Sequence, residues 1–150
     1  MIKVLVADNH PIVRIGLETA LNNNGITEVI GSVSTTTELF NALSTKNPDV
    51  ILLEMDIPEV NGITALRRLK KDQSDIKVLI YSTQAEDVYA LSTLRAGASG
   101  YVSKTASLDT LIDAIKRVAN GGMFITNELA QRLAFDESTN KPRKLFRKLF

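Results

Sequence analysis

The stretch DVILLEMDIPEVNGI, Asp49 to Ile63, decides the fold. Its apolar run (Val50, Ile51, Leu52, Leu53) reads as a buried strand that ends abruptly in a carboxylate, Glu54. A second acid follows at Asp56 and a proline at Pro58, and helical spacing takes over from Ile63 to Lys71. A buried strand that finishes on an acid usually delivers it to a site. What surrounds this strand therefore bears on what Glu54 is for.

On either side the same alternation recurs. IKVLVA at 2 to 7 is a short apolar run rich in β-branched residues, and from Pro11 the positions Ile12, Ile15, Leu17 and Leu21 look helical, with proline suited to a first turn. EVIGSV at 28 to 33 leads into a helix from Thr37 to Ser44. IKVLIYS at 76 to 82 is followed by a helix from Glu86 to Ala96, and SGYVS at 99 to 103 by one from Leu108 to Ala119. These strand–helix units predict an α/β fold: a doubly wound, five-stranded parallel sheet of order 2-1-3-4-5, flavodoxin-like, with helices on both faces. Ligands of such sheets bind outside the carboxyl ends of the strands, where strands 1 and 3 diverge.

A chain of 150 residues holds one domain and a tail, and its 44% hydrophobic and 23% charged residues place it among soluble globular chains. No apolar run approaches the roughly 20 residues of a spanning helix. MIKVLVAD passes straight into strand pattern without a signal-peptide n-region and h-region, so a cytoplasmic protein with no membrane partner is expected. The absence of cysteine removes disulfides, thiolate catalysis and Cys-based metal sites, and a single histidine argues against a His-rich one. Charge is split: residues 1 to 140 carry 13 basic against 17 acidic residues, whereas 141 to 150 carry five basic residues and no acid.

Strand 1 ends in Asp8 and Asn9, strand 3 in Glu54 with Asp56 beyond, strand 4 in Ser82 and Thr83, and strand 5 runs into Lys104. All would meet at one edge of the sheet. Acids, a hydroxyl and a lysine suit Mg²⁺ and a phosphoryl group, whose three oxygens the metal, lysine and hydroxyl would share. No P-loop, GxGxxG or nucleophile elbow is present, so a phosphoryl group would arrive on a partner and land on a side chain. Taken singly these residues are ordinary: Glu54 an acid in solvent, Tyr101 a half-buried aromatic, His10 a turn former before Pro11, Asn9 a helix N-cap. The convergence of four strand ends is what gives them weight.

VLVADNHPIVR, PDVILLEMDIPEVNGI, a strand-4 Ser/Thr and LRAGASGYVSK, in that order over residues 2 to 122, resemble the receiver domain of two-component response regulators of the NarL/FixJ (LuxR-type) family. The resemblance implies a signalling switch and not an enzyme. A sensor histidine kinase would pass its phosphoryl group to an aspartate ending strand 3, with Mg²⁺ held by an acidic pair after strand 1. Asp8 falls on the first acid of that pair, and Asp56 where a backbone carbonyl meets the metal. Ser82 falls on the switch hydroxyl with Thr83 beside it, Tyr101 on the aromatic whose rotamer reports the state, and Lys104 on the sensing lysine. Pro58 and Gly62 fit the loop after the acceptor.

Two positions depart from the family pattern. Glu54 stands where the acceptor aspartate belongs, and Asn9 stands on the second acid of the metal pair. Glutamate places its carboxylate roughly 1.5 Å farther out, and a misplacement near 1 Å can slow in-line transfer about a hundredfold. The expectation is a receiver locked or biased by Glu54, which reaches toward Lys104 and Ser82 in partial imitation of a phosphoryl group, with Mg²⁺ binding weakened.

The resemblance further implies a homodimer, and DNA contact only through an effector domain that is absent from these residues. With the receiver at 1–122, residues 123–150 read as a short helix opened by Thr126 or Asn127, a polar linker DESTNKPRK and a basic amphipathic RKLFRKLF. A fragment ending before the effector domain is the simplest expectation. Two rivals stand beside the switch: a phosphorylation-independent interaction module, and a Mg²⁺-dependent phosphohydrolase using a strand-end acid.

Overall fold

The computed structural model describes residues 1–83, 86–136 and 141–142. Strand and helix alternate as β1 (Ile2–Ala7), α1 (Pro11–Leu21), β2 (Thr27–Val33), α2 (Thr36–Leu43), β3 (Val50–Leu53), α3 (Gly62–Asp72), β4 (Val78–Ser82), α4 (Glu86–Arg95), β5 (Gly100–Ser103) and α5 (Leu108–Ala119). The five strands form one parallel sheet in the order β2-β1-β3-β4-β5. The expected architecture is thus the observed one.

Local chemistry starts the helices. The side chains of Thr35, Asn61 and Ser107 accept the amides of Glu38, Thr64 and Thr110 at the N-termini of α2, α3 and α5. In α5 an acid, Asp109, lies in the first turn and Lys116 and Arg117 in the last, complementing the helix dipole. Pro11 opens α1, where its missing amide proton is no loss.

Successive strand side chains face opposite sides, which divides the core in two. Leu5, Ala7, Ile51, Leu53, Val78, Ile80 and Tyr101 pack with Leu39 of α2, Leu66 and Leu69 of α3, and Ala90 and Leu94 of α4. Val4, Val6, Val50, Leu52, Leu79 and Val102 pack with Leu17 and Leu21 of α1 and Leu111, Ile115 and Val118 of α5. All four residues of β3 are buried, so the run 50–53 must be apolar without alternation. Helices clamp this strand on both faces, and its end delivers Glu54 to a fixed place.

Past α5, the chain returns to the sheet edge. Phe124 bridges Gly100 in parallel: its amide donates to the Ser99 carbonyl (3.0 Å), and its carbonyl accepts the Tyr101 amide (3.2 Å). Helix α6 (Asn127–Ala134) then packs on α4, with Leu129 buried. Thr126 is its cap, accepting the Leu129 amide at 3.2 Å. At the start of the stretch that reads as linker, DESTNKPRK, Phe135–Asp136 (β6) pairs antiparallel with Lys141–Pro142 (β7). The tail RKLFRKLF lies outside the described residues. Among those described, no helix is long and apolar enough to cross a membrane.

Candidate functional site

The carboxyl ends of β1, β3, β4 and β5 deliver their polar residues to one point. Backbone bonds set the frame: the Asp8 amide donates to Val33 O (3.0 Å), the Glu54 amide to Ala7 O (3.0 Å) and the Lys104 amide to Ser82 O (2.9 Å). Asp8, Glu54 and Ser82 are at most 2% exposed. Charged groups so buried must be paired or hydrogen-bonded.

Lys104 supplies the pairing. Its ammonium stands 2.6 Å from Asp8 Oδ2 and 3.0 Å from Glu54 Oε2, on a side chain 9% exposed. The other Glu54 oxygen, Oε1, accepts the Ser82 hydroxyl at 3.1 Å and the Asp56 amide at 3.4 Å. The longer glutamate thus spans from hydroxyl to ammonium. Burial pulls the Lys104 ammonium down, but its bonds to Asp8 and Glu54 and their charges prevail, so its pKa is raised. Burial also pushes the neighbouring Tyr81 phenol up, with Lys104 opposing and Asp8 reinforcing the shift.

Both raised values make the same prediction. A group whose pKa is higher folded than unfolded adds stability that is complete below its ordinary value, 10.0 for Tyr81 and 10.5 for Lys104, and lost as pH rises through the folded value. The urea midpoint, followed by circular dichroism, should hold level from neutrality to about pH 9.5 and fall beyond about pH 10. A midpoint still level at about pH 11.5 would contradict the Lys104 ion pairs.

Asp8 is held by two residues to which the sequence assigned no place in the site. His10, and not Asn9, is the N-cap residue of α1, although its side chain caps nothing. Instead the His10 amide (2.8 Å) and Nδ1 (2.9 Å) both meet Asp8 Oδ1, an Asx-type turn that an aspartate two residues ahead of a helix start can form. Arg14 reaches back to donate to the Asp8 carbonyl at 2.7 Å. Asn9 keeps its Oδ1 buried without a hydrogen-bond partner.

The remaining expected residues separate. Thr83 is exposed; Tyr101 is turned into the core, 2% exposed. Asp56 has an exposed side chain and brings its amide to Glu54. Pro58 acts through its carbonyl, which accepts both the amide and the hydroxyl of Thr36 (3.3 Å each). Beside it Glu59, at φ 81°, accepts the Thr37 amide and hydroxyl, each at 3.0 Å. These bonds lower the Glu59 pKa and tie the loop after β3 to the start of α2, offsetting the strained backbone. Gly62 opens α3 and donates to Met55 O at 2.8 Å. Among the described residues no three acidic, histidine or cysteine side chains converge as a metal cluster.

Known proteins resemble this chain closely. Residues 4–116 match the family described as the response regulator receiver domain. Response regulator GacA of Pseudomonas aeruginosa is 35% identical over 134 residues, covering 89% of this chain and 63% of that protein. Response regulator UvrY of Escherichia coli is 30% identical over 137 residues, covering 91% and 63%. The chain therefore spans about 63% of the length of these curated relatives. Among solved structures, a two-component response regulator of the LuxR family from Aurantimonas sp. SI85-9A1 superposes with a TM-score of 0.79 at 26% identity, covering 88% of this chain and 94% of that one.

Proposed function

This chain belongs to the response regulator receiver domain family, in its NarL/FixJ (LuxR-type) branch, and from that premise we propose a phosphoryl-switch receiver held toward its responding state by Glu54. One observation carries the reading: Glu54 engages the Ser82 hydroxyl and the Lys104 ammonium together, at 3.1 and 3.0 Å. In the family a phosphorylated aspartate would call on those two donors. Glu54 occupies them with no phosphoryl group, using one carboxylate charge where a phosphoryl brings nearly two.

The same contacts make Glu54 a poor acceptor, since both its oxygens are engaged inside the protein. A sensor histidine kinase remains the partner that the family implies, with DNA reached through an effector domain and the cytoplasm as location. The homodimer contact we place on the α1–α5 side, where Ile12 is 85%, Ile15 63% and Leu108 45% exposed. Phe124 and α6 already cover the β5 edge and α4.

Receiver domains commonly use Mg²⁺, and the residues at this edge do not fit a resident one. Asp8 and Glu54 both face an ammonium, and Asn9 offers a neutral oxygen where the family has a carboxylate.

Sedimentation velocity tests the switch. Asn9→Asp combined with Glu54→Asp restores both family acids. With Mg²⁺ and beryllofluoride this variant should shift its monomer–dimer equilibrium by about tenfold, toward the state that the unaltered chain holds unaided. Glu54→Gln should move the other way. If all three sediment alike under every condition, the switch reading fails and a phosphorylation-independent interaction module replaces it.

A further inference from the structure

We infer that Lys104 is the resident cation of this site: its ammonium takes the place of a divalent ion, which could reach Asp8 or Glu54 only by displacing it. The choice of ion rests on the receiver reading, while the geometry stands by itself. Asp8 Oδ1 receives the His10 amide at 2.8 Å and the His10 ring at 2.9 Å, and Oδ2 faces Lys104 at 2.6 Å. Glu54 Oε1 receives Ser82 at 3.1 Å and the Asp56 amide at 3.4 Å, and Oε2 faces Lys104 at 3.0 Å. Two of the four carboxylate oxygens accept hydrogen bonds from the chain itself, and the other two, buried, are answered by the Lys104 ammonium as ion pairs.

A hard divalent ion needs several oxygens with lone pairs turned toward it, and Mg²⁺ demands near-octahedral placement at about 2.0–2.1 Å. An ion on these two oxygens would share them with the ammonium and bring its two charges up against that cation. Asn9 Oδ1, buried and without a partner, is neutral and adds no charge. Charge balance points the same way. Two carboxylates against one ammonium leave a single negative charge, which a divalent ion would invert around side chains only 1% and 3% exposed. Backbone geometry keeps Lys104 in place, because its amide is bonded to the end of β4.

The position of the ammonium sets a competition that the full chain can report directly. Mn²⁺ is titrated at neutral pH and free Mn²⁺ is read by electron paramagnetic resonance, with Asn9→Asp and Lys104→Met in parallel. The unaltered chain should show no saturable binding up to ~1 mM, and Asn9→Asp, with a third carboxylate, should bind at least about tenfold more tightly. Lys104→Met should gain a similar factor, and Mn²⁺ should raise its melting temperature. Saturable submillimolar binding by the unaltered chain that Asp8→Asn abolishes would overturn the inference. So would an Asn9→Asp chain, folded by circular dichroism, that binds no better than its parent. If neither variant folds, the titration of the unaltered chain decides alone. None of these outcomes touches the sedimentation result for Glu54, so the two readings fail separately.

Discussion

Replacing Lys104 with methionine should lower the free energy of unfolding by about 3–5 kcal/mol, among the largest effects available from one side chain here. Methionine keeps much of the lysine stem's length and loses the charge. Asp8 and Glu54 are then left as two carboxylates, 3% and 1% exposed, without the ammonium that both face. Their repulsion and lost solvation, and not a missing packing contact, drive the effect. A domain of this size has roughly 5–15 kcal/mol in total, so the variant should unfold at a much lower urea concentration. Neutralising the acids as well, as Asp8→Asn and Glu54→Gln on the methionine background, should recover much of the loss. If Lys104→Met shifts stability by less than about 1 kcal/mol, the triad behaves as a surface ion pair and the buried-site description is wrong.

Gly62→Ala should rank beside it, destabilising by about 3 kcal/mol, because the added methyl has nowhere to go. An ideal Cβ at Gly62 would lie 2.7 Å from Met55 Cα, 3.0 Å from Met55 O and 3.2 Å from Glu54 O. These are backbone atoms, so no rotamer change relieves the overlap, and the loop carrying Glu54 must move. Gly16→Ala is the control. Nothing lies within 4 Å of its Cβ position in α1, so alanine there should stabilise the chain by about 0.5–1 kcal/mol through helix propensity. Urea unfolding of both variants checks the contrast, and equal effects would show that Gly62 tolerates a side chain.

The two glycines also mark how far sequence reasoning reaches. Each is one letter inside or beside a helix, and although the family pattern picks out Gly62, nothing local gives the reason. Only the crossing of α3 over the Glu54–Met55 backbone makes one of them irreplaceable. His10 and Asn9 carry the same lesson. Both stood beside Pro11 as candidate turn or cap residues, and the turn closes on Asp8 through His10 while Asn9 turns its oxygen inward. Thr83 follows Ser82 in sequence but lies past the end of β4 and is exposed. No local signal in residues 123–134 shows that Phe124 bonds to β5 and that α6 packs on α4.

By itself the sequence determined the order of the five strand–helix units, the topology of their sheet and the edge where Asp8, Glu54, Ser82 and Lys104 assemble. Those properties follow from periodicity, capping and handed connections, which act over a few residues or obey general rules. Only the tertiary structure decided which oxygen of Glu54 meets the hydroxyl and which meets the ammonium, and that Lys104 stands between two acids. Such distances are set where side chains from four strand ends share one buried volume. There, long-range packing and charge balance select the rotamers, and no local pattern encodes them.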